Sequence, residues 1–170
     1  MVEVERTLVI VKPDGVERSL VGEIISRFEK AGLKIVGMKM IWLDREFTTK
    51  HYSDLLERKG KQIFERTMEQ LTMGPVVAIV LEGTSAVDFV RKMAGPTQPS
   101  AAAPGTIRGD FAHANYAVAD GANTGIRNIM HASGSVPEAK AEVALWFSEK
   151  ELFNYETVHD FHILHKARKK

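Results

Sequence analysis

Val76-Val77-Ala78-Ile79-Val80-Leu81 is a continuous apolar run, and it follows the chain-breaking pair Gly74-Pro75. A short run that is apolar at every position predicts a buried strand. The same pattern occurs near the start of the chain at residues 8–11, where it ends at Lys12-Pro13-Asp14-Gly15. Proline and glycine in that tetrapeptide predict a turn. The two runs therefore predict buried strands of a sheet.

Between these strands, apolar residues recur at the spacing of helices. Val21, Ile24, Ile25 and Phe28 recur at the period of one helix face, and Gly32 is predicted to end that helix. Further helices are predicted over residues 48–56 (capped by Thr48 or Thr49), over residues 62–71, from a capping box at Ser85-Ala86-Val87-Asp88, and after Ser135. Further strands are predicted at residues 34–43 and near residues 127–131.

The predicted element order is β-α-β-α-α-β-α-loop-β-α. This order fits an α+β sandwich with one antiparallel four-stranded sheet and helices on one face. Between residues 95 and 125 the periodicity disappears, and Gly, Pro, Ala, Thr and Asn predominate. Loops of that length are usually functional or disordered. Residues 155–165 alternate only in part, so they fit either a docked tail or an edge strand.

The composition is that of one globular domain. The chain has 170 residues, 44% of them hydrophobic, and no cysteine, which excludes disulfides and thiolate zinc sites. No apolar run approaches the roughly 18 residues needed to span a bilayer. The charged start Met1-Val2-Glu3-Val4-Glu5-Arg6 is unlike a signal peptide. We therefore expect a cytoplasmic protein with no membrane partner.

The stretch Asn128-Ile129-Met130-His131-Ala132-Ser133-Gly134-Ser135 places a histidine shortly before a helix start. Ser135-Val136-Pro137-Glu138 has the pattern of a capping box with proline in the first turn. Helix N-termini attract anions, and neutral imidazole is a competent nucleophile because its ordinary pKa is roughly 6.5. The motif suggests phosphoryl chemistry at His131, although a capped helix beside an incidental histidine fits it equally well. Glu142 could orient the imidazole, or could simply be exposed on the helix.

Residues that could hold phosphates lie in and near the long loop. Arg91 precedes it, Thr97 lies within it, and Pro104-Gly105-Thr106-Ile107-Arg108-Gly109-Asp110 contains a second arginine. A guanidinium group matches phosphate oxygens bidentately. Lys12 follows a buried strand, at a sheet end where sites cluster. Each of these residues taken singly could equally be exposed, and the common phosphate-binding and dinucleotide-binding glycine motifs are absent.

A series of motifs runs along the chain in order: Lys12-Pro13-Asp14-Gly15, His51-Tyr52, Gly74-Pro75-Val76-Val77, Arg91, Thr97, Gly105-Thr106-Ile107-Arg108-Gly109-Asp110-Phe111 and Asn128-Ile129-Met130-His131-Ala132-Ser133. In order and spacing they resemble the motifs of nucleoside diphosphate kinases, over roughly residues 7–155. The resemblance implies a ferredoxin-like sandwich that forms a single domain over residues 1–170. Residues 1–5 and 156–170 are then terminal extensions.

The resemblance also implies a ping-pong reaction. His131 takes the γ-phosphoryl group from a nucleoside triphosphate, typically ATP, and passes it to a nucleoside diphosphate. Glu142 orients the imidazole, and Ser133 supports Glu142. The other implied site residues are Arg91, Thr97 and Arg108 at the phosphates, Lys12 and Asn128 at the sugar hydroxyls, and Tyr52 beside the histidine. Mg²⁺ bridges the β and γ phosphates, and the chain forms a homohexamer built from dimers, or a tetramer.

Some positions depart from the family pattern. Gly134 stands where aspartate is usual, which removes a carboxylate near the histidine. Ile63 aligns with the phenylalanine that stacks on the base, with Phe64 adjacent, and Thr67 aligns with an apolar neighbour. Residues 113–124 contain an insertion that short family members lack and that resembles the longer archaeal members.

Two other classes of function fit part of the sequence. A nucleotide-sensing or scaffold protein with weak catalysis would explain Gly134 and Ile63, but the presence of His131 and Glu142 argues against it. A nucleic-acid binder would use the basic tail at residues 166–170, but the chain lacks aromatic-rich strands that stack bases. The net charge of +1 argues neither for nor against a polyanionic partner. We therefore expect nucleotides, rather than nucleic acid, as partners.

Overall fold

Four antiparallel strands form the sheet in a computed structural model of the chain, which describes residues 4–165. They are β1 (Val4–Val11), β2 (Lys34–Trp42), β3 (Pro75–Thr84) and β4 (Met130–Ala132), in the spatial order β2-β3-β1-β4. The strands that contain the two apolar runs, β1 and β3, are central and pair with each other. The predicted α+β architecture with an antiparallel four-stranded sheet is confirmed. The basic tail at residues 166–170 lies outside the described residues.

The described helices are α1 (Pro13–Glu17), α2 (Val21–Lys30), α3 (Arg45–His51), α4 (Leu55–Lys59), α5 (Lys61–Thr72), α6 (Ala86–Ala94), α7 (Ile107–Phe111), α8 (Tyr116–Gly121), α9 (Val136–Trp146) and α10 (Val158–His162). Short 3₁₀ turns cover Pro99–Ala101 and Glu149–Glu151. The predicted helices after residues 21, 62, 85 and 135 correspond to α2, α5, α6 and α9. None of the described helices is long and apolar enough to cross a membrane.

Helices cover both faces of the sheet. One buried cluster joins β1 to α2 and α6 through Val9, Val11, Phe28 and Val90. The other joins β1 to α9 through Leu8, Ile10, Val143 and Trp146. The sequence had predicted helices on one face, and the second layer explains why successive residues of β1 are all apolar. The helix α9 on the second face is the element that carries Glu142 to the candidate site.

Local signals missed one helix and misplaced the start of another. The tetrapeptide Lys12-Pro13-Asp14-Gly15 is not a turn, because Pro13 begins α1, where the missing N–H of proline costs nothing. The helix predicted from Thr48 or Thr49 begins earlier, at Arg45, and is capped by Asp44. Asp44 Oδ1 accepts a hydrogen bond of 2.7 Å from the N–H of Phe47. The predicted single helix to residue 56 is in fact α3 followed by α4.

Two predicted serine caps behave differently. Ser135 Oγ accepts from the N–H of Glu138 at 3.3 Å, so the half of the predicted capping box that Ser135 supplies is present. Ser85 does not cap α6 with its side chain, and its φ of 47° is left-handed. The N–H of Val87 instead donates to Glu5 Oε2 at 3.2 Å. The carboxylate of Glu5 on β1 therefore caps α6 in place of the Ser85 side chain that the sequence had predicted as the cap.

The long segment between residues 95 and 125 is largely ordered into short helices. Thr106 Oγ1 accepts from Gly109 N at the start of α7, and Asn115 Oδ1 accepts from Val118 N at the start of α8. The helix α8 lies in the insertion at residues 113–124. The side chain of Arg66 joins this insertion to α5.

Residues 155–165 form a docked tail. They contain α10 and no strand within the range that the structure describes. Lys34 Nζ donates to the carbonyl of Tyr155 at 3.1 Å and lies 3.7 Å from Asp160 Oδ1. The edge-strand alternative for this segment is therefore wrong.

Candidate active site

The candidate nucleophile His131 lies on β4, where it pairs with Ile10 of β1. Two residues before it, Ile129 has a φ of 72°, a strained value for a β-branched residue. The backbone of Ile129 is held at both ends. Its carbonyl accepts from Lys12 N at 2.8 Å, and its N–H donates to Asp14 Oδ2 at 2.9 Å. The junction of β1 and α1 thus fixes the approach of the chain to His131.

A chain of hydrogen bonds orients the imidazole of His131. His131 Nε2 lies 2.8 Å from Glu142 Oε1, and Ser133 Oγ donates to Glu142 Oε2 at 2.5 Å. Ser133 Oγ in turn accepts from the backbone N–H of Leu8 at 3.2 Å. A carboxylate oxygen accepts, so Nε2 carries the proton and Nδ1 keeps its lone pair. Tyr52 Oη lies 3.5 Å from that Nδ1.

The surroundings of His131 keep its ring neutral. Burial and then the charge of Lys12 lower the pKa of His131 to about 3, with smaller contributions from Arg108 and Arg91 that oppose the effect of Glu138. A neutral imidazole with one free lone pair is the form in which histidine acts as a nucleophile. The cations that lower this pKa also provide positive charge for an anionic substrate.

Burial raises the pKa values of both Glu142 and Tyr52. Burial raises the pKa of Glu142, while nearby His51 and the hydrogen bond from Ser133 lower it. Burial, followed by the charge of Glu142, raises the pKa of Tyr52. The phenol of Tyr52 therefore stays protonated, and its oxygen lies on the Nδ1 side of the His131 ring.

Lys12 and Asn128 form a buried pair beside the histidine. Lys12 Nζ donates to Asn128 Oδ1 at 2.8 Å, and Asn128 Nδ2 donates to the carbonyl of Thr97 at 2.9 Å. Burial lowers the pKa of Lys12 to about 8, a net shift that Asp14 opposes and Arg108 assists. The pair thus ties together the end of β1, the segment before β4 and the long loop.

Arg108 is buried and has a structural task. Its guanidinium donates to the backbone carbonyls of Gly95 at 2.6 Å, Met130 at 2.7 Å and Asn128 at 3.2 Å. Burial, and then the charge of Arg91, lower the pKa of Arg108 to about 10. Arginine has five N–H donors, so some remain for a phosphate. Arg91 and Thr97, by contrast, are exposed.

The residues that were predicted to contact the nucleotide base lie on α5. Ile63 is 44% exposed, whereas Phe64 is 7% exposed and packs in a cluster with Leu55 and Met68. Thr67 Oγ1 donates to the carbonyl of Ile63 at 2.8 Å. Ile63, rather than Phe64, therefore presents its side chain to solvent where a base could bind.

Gly134 is accompanied by a carboxylate from α9. A Cβ on Gly134 would lie 2.5 Å from Glu138 Oε2, so the carboxylate of Glu138 lies over the glycine. Glu138 also raises the pKa of His131, which shows that its charge acts on the ring. A negative charge is thus present near the place where the family pattern has aspartate.

Sequence reasoning left Asp14, His51 and Trp146 out of the candidate site. Asp14 holds Ile129, as described above. Trp146 Nε1 donates to His51 Nδ1 at 3.1 Å, and the ring of His51 lies against that of His131 with centroids 4.8 Å apart. One signal was available, because Trp146 follows Glu142 by four residues and so shares its helix face.

An α+β sandwich that presents a neutral, oriented histidine beside lysine and arginine has the chemistry of a phosphotransferase. Comparisons with known proteins agree. A family model described as nucleoside diphosphate kinase matches residues 5–152. The nucleoside diphosphate kinase of Pyrococcus furiosus is 56% identical over 155 residues, which cover 91% of this chain and 90% of the relative. That of Pyrococcus horikoshii is 55% identical over 161 residues, 95% of this chain and 96% of the relative.

Solved structures lead to the same family. A transition-state mimic of the Borrelia burgdorferi nucleoside diphosphate kinase, with bound vanadate and ADP, has a TM-score of 0.91 at 37% identity and covers 94% of this chain and 96% of that one. A kinase from Pyrobaculum aerophilum has a TM-score of 0.82 at 38% identity, covering 89% and 100%. The chain belongs to the nucleoside diphosphate kinase family, and the predicted phosphotransferase activity is confirmed.

Proposed function

We propose that the phosphoryl group passes through Nδ1 of His131. The observation that supports this is the 2.8 Å contact between His131 Nε2 and Glu142 Oε1, with Ser133 bonded to the other oxygen. It leaves Nδ1 as the nitrogen with a free lone pair. Because the ring is neutral, no base has to remove a proton before attack.

The two half-reactions balance without an external acid or base. In the first, a bond forms between Nδ1 and the γ-phosphorus, and the bond from that phosphorus to the β–γ bridging oxygen breaks. The nucleoside diphosphate leaves with the electron pair on that oxygen. In the second, a terminal oxygen of another diphosphate attacks the phosphorus and Nδ1 recovers its lone pair. Throughout, the proton on Nε2 stays hydrogen-bonded to Glu142, which stabilises the positive charge that develops on the ring.

The remaining site residues position the nucleotide. We assign Arg91, Thr97 and the free donors of Arg108 to the phosphates, since guanidinium groups pair with phosphate oxygens. Lys12 and Asn128, already joined by a 2.8 Å hydrogen bond, serve the sugar hydroxyls. ATP is the proposed donor, and the side chain of Ile63 covers one face of the base. Tyr52 restricts the ring of His131 from its Nδ1 side.

Enzymes of this family use a divalent cation in catalysis, and we propose that it is Mg²⁺. Within the described residues, one cluster of possible ligands is found, formed by His51, His131 and Glu142 with atoms within 4.8 Å of one another. Two imidazole nitrogens do not suit Mg²⁺, which prefers oxygen and is often held by substrate phosphates. Mg²⁺ is thus expected to arrive with the nucleotide, where it neutralises phosphate charge.

The assembly and location are proposals of the same kind. We propose a single domain and a homohexamer, with the cysteine-free chain in the cytoplasm. The edge strand β2 supports self-association, because Met38, Met40 and Trp42 are each more than half exposed along one side of it. Size-exclusion chromatography with light scattering would distinguish a hexamer from a tetramer.

The main test is formation of a phosphoenzyme. The protein is incubated with γ-labelled ATP and Mg²⁺ and is expected to form an acid-labile, base-stable adduct that discharges onto a nucleoside diphosphate. His131→Ala should abolish labelling and leave nucleotide binding intact. Labelling that survives this substitution would show that another residue is the nucleophile.

The pH dependence of labelling provides a second test. An ordinary histidine with a pKa of about 6.5 would be mostly protonated at pH 5 and unable to attack. With the pKa of His131 near about 3, the ring stays neutral across this range. The labelling rate should therefore be flat between about pH 5 and 7 and fall above about pH 8, where Lys12 loses its proton.

A further inference from the structure

A second buried histidine lies beside the nucleophile, and the reaction above gives it no task. His51 is the last residue of α3, and its side chain is 1% exposed. Its ring meets the ring of His131 nearly at right angles, with centroids 4.8 Å apart. His51 Nδ1 also lies 3.6 Å from Glu142 Oε1, the oxygen that faces His131 Nε2 at 2.8 Å. Two imidazoles therefore share one carboxylate oxygen as a neighbour.

Trp146 determines which nitrogen of His51 carries the proton. Trp146 Nε1 lies 3.1 Å from His51 Nδ1. An indole N–H can only donate, so Nδ1 accepts and the proton of the neutral ring is on Nε2. Burial, and then the neighbouring His131, lower the pKa of His51 to about 3, which keeps the ring neutral. In this tautomer His51 has no proton on the nitrogen that faces Glu142.

This tautomer leaves a buried donor without a partner. His51 Nε2 has no hydrogen-bond partner among residues 4–165. Unpartnered buried polar groups are rare and destabilising, so each requires a reason. The other tautomer would direct the Nδ1 proton towards Glu142 Oε1, 3.6 Å away. It would then compete with His131 for that oxygen and leave the N–H of Trp146 unpaired.

We propose that Trp146 and His51 form a tautomer lock that reserves Glu142 Oε1 for His131. In this arrangement His51 is a positioning residue, because it acts on the nucleophile through Glu142 and through ring contact. The unpartnered Nε2 of His51 is the cost of the arrangement. The proposal rests on the role of His131 proposed above, but the tautomer of His51 can be measured without any reaction.

The decisive variant is Trp146→Phe in the full chain, which keeps an aromatic ring and removes the N–H. In the wild type, ¹⁵N NMR of the histidine rings should show the His51 proton on Nε2, and in the variant it should move to Nδ1. His131 labelling by MgATP in single turnover should slow about tenfold, as expected when one hydrogen bond to a charged group is lost. The KM for nucleotide should not change, because the indole is 3% exposed.

Matched variants distinguish the effect of the Trp146 N–H from the effect of the packing of its ring. Phe47 packs edge-on against Trp146 with centroids 4.9 Å apart, so Phe47→Leu loosens the indole and keeps its N–H. It should preserve both the tautomer and the labelling rate. His51→Asn places a carbonyl oxygen near the position of Nδ1 and should label at close to the wild-type rate. His51→Gln lacks an acceptor there and should be as slow as Trp146→Phe.

Several results would overturn the lock. One is a wild-type spectrum with the His51 proton on Nδ1, and another is a Trp146→Phe enzyme that labels as fast as the wild type. Equal slowing by Phe47→Leu and Trp146→Phe would show that packing alone matters, and would also overturn it. If Trp146→Phe does not fold, equal rates for the two His51 variants would contradict the proposal. A wild type that forms no phosphoenzyme would instead contradict the proposed role of His131 and leave the tautomer result standing.

Discussion

The two ends of the candidate site differ in how firmly they are held. At the histidine end, around His131, the residues Lys12, Ser133 and Glu142 are buried, and each is hydrogen-bonded to a residue outside its own element. At the base end, on α5, Ile63 is 44% exposed. The histidine end is held by side chains and by the backbone of the central strand. The base end rests on one helix, whose outer side meets the insertion. The candidate site therefore combines a region that is fixed by many hydrogen bonds with one that is fixed by few.

This difference follows from what each end has to do. Phosphoryl transfer through a histidine requires one tautomer, a neutral ring and an aligned nitrogen. Several hydrogen bonds and buried contacts are needed to fix all three at once. A base that only lies against a side chain requires an apolar surface and little else. We therefore expect substitutions at the histidine end to reduce the rate at saturation, and substitutions at the base end to change nucleotide affinity.

Among variants that retain His131, the largest effect is expected from Glu142→Ala. The substitution frees the ring of His131 and leaves the hydroxyl of Ser133 with the carbonyl of Leu8, at 3.4 Å, as its acceptor. The rate of phosphoenzyme formation at saturating ATP should fall by about 10²- to 10³-fold, the usual loss for a group that stabilises developing charge. Rapid quench with labelled ATP measures this rate.

Glu138→Gln is the control for charge. Glu138 acts on His131 through its field, with no hydrogen bond to the ring among the described contacts. Its removal should change the rate by about threefold or less, as is usual for exposed charges. Equal effects of the two variants would mean that Glu142 contributes charge alone, and the rigid character of the histidine end would be refuted.

The second effect concerns stability and comes from Gly15→Ala. An added Cβ would lie 2.8 Å from Val11 Cγ1 and 2.9 Å from the carbonyl of Ile129, the strained residue before the nucleophile. Overpacking of this kind should lower the free energy of unfolding by about 2 kcal/mol. Labelling should slow too, since the backbone leading to His131 must shift. Urea denaturation and the labelling assay measure the two effects.

Gly22→Ala is the matched control in the next helix. No atom lies within 4 Å of the Cβ that it would add. Alanine is the better helix former, so this variant should be more stable by about 0.5–1 kcal/mol, with unchanged labelling. If Gly15→Ala were as harmless, the close approach of α1 to Ile129 would not constrain the site.

Sequence patterns predicted the sheet and the helices around it because those signals are local. The apolar runs and helical periods lie within one element, and Ser135 caps α9 with its own side chain. The cap of α6 could not be predicted in this way, because Glu5, which accepts from the N–H of Val87, lies 82 positions earlier in the chain. Local capping rules fail where a distant side chain occupies the same position.

The same reasoning applies to the site. The contacts of Glu142 with His131 and Ser133 could be anticipated from the family resemblance, whereas spacing alone left Glu142 either beside the imidazole or exposed. The role of His51 could not be anticipated, since its importance depends on Trp146, which lies 95 positions further along. By contrast, helical periodicity could have shown that Phe64 is buried, because Phe64, Met68 and Leu71 recur at helical spacing and share one face of α5.

At the base end, Ile63→Phe should tighten nucleotide binding. A larger aromatic surface adds stacking of roughly 1 kcal/mol, which corresponds to about fivefold in affinity. The labelling rate at saturation should not change. Isothermal titration with a non-hydrolysable analogue measures the affinity. Phe64→Leu is the control, since Phe64 is buried, and should reduce stability and leave affinity unaltered. Unchanged affinity in Ile63→Phe would show that this residue does not meet the base.

The smallest effect should come from the contact between the insertion and α5. Arg66 NH1 pairs with Asp120 Oδ1 at 2.7 Å, and the carboxylate of Asp120 is 67% exposed. Exposed ion pairs contribute about 0–1 kcal/mol, and Arg66 keeps its bonds to Asn123 Oδ1 at 3.0 and 2.7 Å. Asp120→Asn should therefore change the nucleotide KM by about twofold at most. Asp54→Asn, which breaks the exposed pair with Arg58 at 3.1 Å, is the matched control. A tenfold rise in KM for Asp120→Asn alone would show that the insertion holds α5 in place, and that the base end is as strictly determined as the histidine end.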